Sequence, residues 1–136
     1  MNRLFACRAG NTALEFAVIL PVVVLVLFGT LTAGLYLGVA SSVQALAADV
    51  ARAGVEGTYD WECERSANSF VASNASGYFM VDPERVVASV SREHAESRMV
   101  VSVTYDASWL PVWSLSGLLP MPDPVITRTA IILGHR

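Results

Sequence analysis

The sequence predicts an α+β protein: a long N-terminal membrane-spanning helix carrying a small head of one further helix and a three-stranded antiparallel sheet. Three observations predict it. The chain runs from Phe16 to Ala48 without a charge. An amphipathic stripe of helical period follows directly on the most apolar part of that run. Three Val- or Ile-rich segments near the C-terminus alternate with turn signals. Composition agrees. The chain has 136 residues, 54% hydrophobic and 15% charged, with a mean hydropathy of +0.49, where a water-soluble domain carries about 25% charge. This length holds one small domain plus an anchor. Nine arginines and no lysine face 12 acids, for a net charge of −3. With no basic cluster, nucleic acid is excluded as a partner.

The span comes first. Phe16 to Val39 reads FAVILPVVVLVLFGTLTAGLYLGV, and about 20 mostly apolar residues cross a bilayer as a helix. Arg3 and Arg8 precede the run and no acid comes before Glu15, whereas Asp49, Arg52 and Glu56 after the run are mixed. The positive-inside rule therefore expects the N-terminus in the cytoplasm and residues 49–136 across the membrane. Pro21 removes one backbone donor inside the span, so a kink or loosened turn is expected there. Gly34-x-x-x-Gly38 offers a face for close helix packing.

The helix is expected to continue beyond the bilayer. Val43, Leu46, Ala47, Val50 and Ala53-Gly54 recur at i, i+3, i+4, i+7, while Ser42, Gln44, Asp49 and Arg52 fill other faces. Gly54 and Gly57 are the expected stops. A second helix is expected over Glu62 to Phe79, with Ala67, Phe70, Val71, Ala75 and Tyr78 on its apolar face. Asp82-Pro83 marks a turn. Arg85–Ser91 and Arg98–Asp106 read as a hairpin across a short polar connection, EHAES. In the second of these strands Met99, Val101, Val103 and Tyr105 point one way. Trp109 to Pro124 is broken by prolines at 111, 120, 122 and 124 and cannot be a regular strand. So apolar a segment either covers the sheet or, through residues such as Trp109 and Trp113, docks on a partner or membrane surface. Val125–Leu133 reads as the third strand.

The N-terminal segment Arg8-Ala9-Gly10-Asn11-Thr12-Ala13-Leu14-Glu15-Phe16 carries the functional signal. Taken as residues alone, Thr12-x-x-Glu15 before an apolar run is a capping box that fixes a helix start, and an acid in a first turn suits the helix dipole. The arrangement of a basic leader, a glycine, a lone acid at the fifth place after it and an aromatic also resembles the leader of type IV pilins and pseudopilins. GNTALEFAVILPVVVLVLFGTLTAG is similar to the N-terminal segment of TadE-like proteins, the pseudopilins of tight-adherence (Tad/Flp) pilus systems. The shared pieces are Glu15-Phe16, Pro21 and the glycine-containing apolar run. QALAADVARAGVEG resembles the continuation of that family's first helix. Asn11 departs from the small or apolar residues common at that place.

The resemblance implies a pilin-like fold with a cytoplasmic leader over 1–10 that is cleaved, a helix over 11–56 spanning the membrane at about 16–39, and a periplasmic head over 57–136. It implies that a prepilin peptidase cuts between Gly10 and Asn11. Gly10 lets the extended backbone fit a peptidase site. It further implies that Glu15 pairs with the new α-amine of a neighbouring subunit, offsetting the cost of placing both charges in a low dielectric. The implied partners are that peptidase, other pseudopilins, the major Flp pilin, the Tad membrane platform and the lipid bilayer. The location is the bacterial inner membrane, with a single pass. Two other readings stay open: a signal-anchored periplasmic scaffold or binding protein unrelated to pili, and a periplasmic enzyme or adhesin released after Ala47.

Catalytic and cofactor signatures are missing from the sequence. His94 and His135 have no metal-ligand spacing with each other or with Cys63. No phosphate loop or nucleophile elbow occurs. No cofactor is expected, and the task expected is assembly, not catalysis. Cys7 and Cys63 would lie on opposite sides of the membrane, which excludes a disulfide between them. Cys63 is then a free buried thiol or an intermolecular bridge.

Overall fold

The computed structural model describes residues 6–54, 59–93, 98–118 and 120–133, and for 6–11 and 115 the backbone alone. Two helices and three strands follow in order: α1 (Ala6–Gly54), α2 (Asp60–Asn74), β1 (Val86–Glu93), β2 (Arg98–Asp106) and β3 (Val125–Leu133). This is the α+β plan expected from the sequence. The chain divides into two compact units, Met1–Leu35 and Tyr36–Arg136.

In the first unit, α1 exposes nearly all its apolar side chains. Phe16, Val18, Ile19, Leu20, every residue from Val22 to Phe28, and Leu31 are exposed. Such an apolar surface is far larger than soluble monomers tolerate. The helix is long and apolar enough to cross a membrane. Its hydroxyls are satisfied locally: Thr30 Oγ1 donates to the Val26 carbonyl at 2.8 Å and Thr32 Oγ1 to the Phe28 carbonyl at 2.6 Å. Backbone and side-chain donors are thus paired within the segment, as hydrocarbon demands. Pro21 lies inside α1, which stays helical on both sides.

In the second unit the same helix becomes a core element. Val39, Val43, Leu46, Ala47 and Val50 are fully buried, and Ala40 and Ala51 nearly so. This is the expected stripe, extended by one turn towards the N-terminus. The sheet has the order β1-β2-β3, antiparallel throughout. Its register places Val86 opposite Tyr105, and Tyr105 opposite Ile126. Met99, Val101, Val103 and Tyr105 of the central strand are all buried, as alternation requires. Val86 and Ala88 from β1 and Ile126 from β3 join them. The opposite face carries hydroxyl pairs, Ser102 with Thr129 and Thr104 with Thr127, each at 3.3 Å. Along β3 the inner face closes only at Ile126, and Arg128, Ala130 and Ile132 are half-buried.

Several boundaries differ from expectation. The first helix already includes Ala6–Gly10, so this described part of the leader belongs to the same helix and Thr12 lies inside it. The Thr12–Glu15 capping box therefore does not mark the helix start, because residues 6–11 supply the preceding turn. The second helix starts at Asp60 and ends at Asn74. A 3-10 turn over Ala75–Gly77 follows, and Met80 takes a left-handed φ of 52°. Phe79 therefore leaves the helix. Arg85 closes a 3-10 turn begun by Pro83, with the Asp82 carboxylate accepting from the Glu84 N–H at 3.1 Å, and β1 runs on to Glu93. The proline-rich segment includes a 3-10 turn over Pro111–Leu115. The expected stop at Gly57, most of the EHAES connection, the Cys7 side chain, and His94 and His135 lie outside the described residues.

Candidate functional site

The N-terminal motif sits on one continuous helix. The backbone of Gly10 and Asn11 is helical, and their surroundings lie outside the described side chains. Glu15 and Phe16 are exposed. Glu15 lines a shallow open groove with Leu14, Val18 and Ile19. Apart from Glu15, the helix carries no charge from Thr12 until Asp49. The acid thus stands at the edge of a bare apolar rod. Farther along, Gly34 has open space where a side chain would be. Gly38 does not: a Cβ there would lie 3.3 Å from the Phe79 ring. The two glycines therefore do not form one free packing face, since the chain's own Phe79 covers the second.

This motif and the following apolar helix match a family model described as TadE-like protein over residues 10–52. The N-terminal segment is TadE-like. The TadE-like segment begins at Gly10, includes Asn11, Glu15, Phe16, Pro21, Gly34 and Gly38, and ends just before α1 does. The match covers less than a third of the chain, and the long apolar helix fits a membrane anchor. No curated protein and no solved structure matches the chain.

Beyond the TadE-like segment, polar contacts tie the head to the second half of α1. Tyr78 Oη donates to Asp49 Oδ2 at 2.6 Å. Burial, then the hydrogen bond and charge of Asp49, push the Tyr78 hydroxyl up to about 12. At the start of α2, Glu62 accepts from the Tyr59 N–H at 3.3 Å, and Asp60 and Glu62 suit the positive helix end. Arg92 of β1 reaches both Asp60 (3.4 Å) and Cys63 Sγ (3.2 Å). Cys63 is buried.

The proline-rich segment divides in two. Leu110 and Val112 are buried and cover the core. Trp113 is half-buried, its indole N–H donating to the Ala107 carbonyl at 2.7 Å. Trp109 stays 42% exposed, while its Nε1 donates to Tyr105 Oη at 2.7 Å. Among the described residues no group of three or more His, Cys, Asp or Glu side chains is placed to hold a metal. The contacts of Phe79, Tyr78 and Arg92 were not legible in the sequence. They join residues far apart along the chain, and only the apolar Tyr78-Phe79 pair after Gly77 hinted at a turn with a packing role.

Proposed function

We propose that this chain is a pseudopilin or minor pilin-like component of Tad/Flp pilus assembly and secretion. It is anchored in the inner membrane by the first part of α1, with its N-terminus in the cytoplasm and its head in the periplasm. Prepilin peptidase removes residues 1–10. The observation that carries this reading is the TadE-like match starting at Gly10 on a helix that is bare and apolar first and core-forming afterwards. A removable signal has no need of a second half that forms the core of the head.

Cleavage at Gly10–Asn11 would cut within a helix, so the peptidase must first unwind residues 6–11. Gly10 lowers the cost of that step, since glycine weakens a helix by about 1 kcal/mol against alanine. The new amine at Asn11 would lie one helical turn from Glu15, and pairing with a neighbour's Glu15 would fix the stagger between subunits. In this reading the partners are other pseudopilins, the major pilin and the membrane platform.

The test is the N-terminus of the protein purified from its native host, by sequencing and intact mass. A start at Asn11 is expected. Gly10→Trp should leave the leader in place. Normal maturation of that variant would remove the peptidase from this account. The continuity of α1 through Gly10 favours one second reading, an uncut signal-anchored periplasmic scaffold. Retention of Met1 in cells with an active prepilin peptidase would select it.

A further inference from the structure

We infer that the outer edge of β3 receives an extended, acid-bearing strand of a partner protein, added to the sheet with a carboxylate facing Arg128. This rests on the second unit alone, and on neither the membrane anchor nor the pilus role.

The edge is built for pairing. β3 ends the sheet, with β2 on one side and no strand on the other among the described residues. Its register with β2 runs unbroken from Val125 to Leu133, with no bulge and no proline inside the strand. Edge strands are commonly blunted by such devices, because a row of unpaired backbone groups is a template for another chain. The direction of those groups follows from the register. The Ala107 N–H donates to the Pro124 carbonyl at 2.9 Å, one step beyond the Asp106–Val125 pair. Hydrogen-bonded and non-hydrogen-bonded pairs alternate along an antiparallel ladder. Val125, Thr127, Thr129, Ile131 and Leu133 therefore turn both N–H and carbonyl away from β2. The side chains agree. The hydroxyls of Thr104 and Thr127, and of Ser102 and Thr129, meet at 3.3 Å, as suits the closer, non-hydrogen-bonded kind of pair.

Arg128 sets the chemistry of the partner. It lies on the inward face between Ile126 and Ala130 and is half-buried. Its guanidinium donates to the Thr127 carbonyl at 3.3 Å, and no acid pairs with it among the described residues. A cation drawn partly out of water gains from a carboxylate beside it. In antiparallel addition, the residue opposite Arg128 would form a non-hydrogen-bonded pair, with Cα atoms about 4.5 Å apart. A glutamate there meets the guanidinium across the strands.

The same charge argues against a second copy. The inward face of β3 holds no acid, and that of β1, the other outer strand, is Val86, Ala88, Val90 and Arg92. Either edge of another copy would leave Arg128 facing apolar or cationic side chains. The occupant is therefore a strand of a different protein. Its acid is flanked at two-residue spacing by apolar residues, which would cover the half-buried Ala130 and Ile132. Backbone bonds along the edge supply affinity and the inward side chains supply selection.

The test uses the full chain in detergent and a fluorescein-labelled nine-residue peptide that alternates valine and threonine, with glutamate in place of the middle valine. A second peptide carries lysine there. The glutamate peptide should bind several-fold more tightly than the lysine peptide, and Arg128→Glu should reverse that order. Thr129→Pro removes an outward N–H and no bond to β2, so it should abolish binding, while Thr129→Val should retain it. Binding should also slow hydrogen exchange at the outward amides of β3. Should Thr129→Pro disturb the fold, the charge reversal at Arg128 still decides. Equal binding of the two peptides, binding of neither, or undiminished binding to a folded T129P chain overturns the proposal. So does protection of the outward amides that rises with protein concentration in the absence of peptide, which would make a second copy the occupant.

Discussion

Glu15 is one charge at the edge of a run that has no other until Asp49. A carboxylate at the bilayer centre costs about 2.5–3.5 kcal/mol, less near the interface. The natural compensation is a cation at the same height, and cleavage after Gly10 would create one on each neighbouring subunit. Glu15→Val should therefore be processed normally and inserted at least as well, yet yield fewer pili in a shear-and-quantify assay. Wild-type output would dismiss the pairing. In the head, Tyr78 gives a pH signature. Folding raises its hydroxyl from the ordinary 10 to about 12, first by burial and then by Asp49. The folded state holds the proton more tightly, so this stabilisation is complete below about pH 10 and is lost as pH rises towards 12. Tyr78→Phe should flatten that part of the stability profile in denaturant melts of the full chain in detergent. Asp106 behaves oppositely: hydrogen bonds from Ser108, with a smaller contribution from Arg85, hold its carboxyl below the usual range. Its contribution is present above the ordinary carboxylate range and fades as pH falls through the lowered value.

At the scale of elements, α1 is one helix with two solvents. Leu46 is fully buried, whereas Leu27 is 65% exposed. Truncating a buried leucine to alanine removes its transfer energy and leaves a cavity, about 2–5 kcal/mol in all. Leu46→Ala should lower the unfolding midpoint of the head accordingly, and Leu27→Ala should leave it unchanged. Equal effects would mean that the two halves share one core. β2 and β3 were readable to the residue because Val and Ile alternation on a half-buried sheet is a strong local signal. Helix ends were less readable. Residues 6–11 extend the helix past the capping signal, and α2 stops at Asn74 because the chain turns there to bring Tyr78 to Asp49 and Phe79 to Gly38. Those contacts reach from beyond α2 back to the second half of α1, past the range of any local pattern.

For the whole molecule, the consequential boundary lies after Leu35, not after residue 56. The second half of α1 supplies Val39, Val43, Leu46 and Val50 to the head core. A chain beginning at Tyr36 should therefore fold cooperatively in water by circular dichroism and denaturant melts. A chain beginning at Tyr59 should not, because the sheet would lose the helix that covers it. Cooperative folding of the shorter chain would show that the head is self-sufficient.

By itself, the sequence determined the apolar rod, its lone acid, the Gly10–Phe16 motif and the strand pattern. Each of these is written in neighbouring residues, through charge, hydrophobic period and turn chemistry. Only the tertiary structure decided that Phe79 stands where a Cβ on Gly38 would be crowded, that Tyr105 fastens Met80 and Trp109 together, and that half of the first helix belongs to the head. Each of these depends on side chains far apart in sequence meeting in a shared core, where shape and hydrogen-bond geometry select partners that composition leaves equivalent.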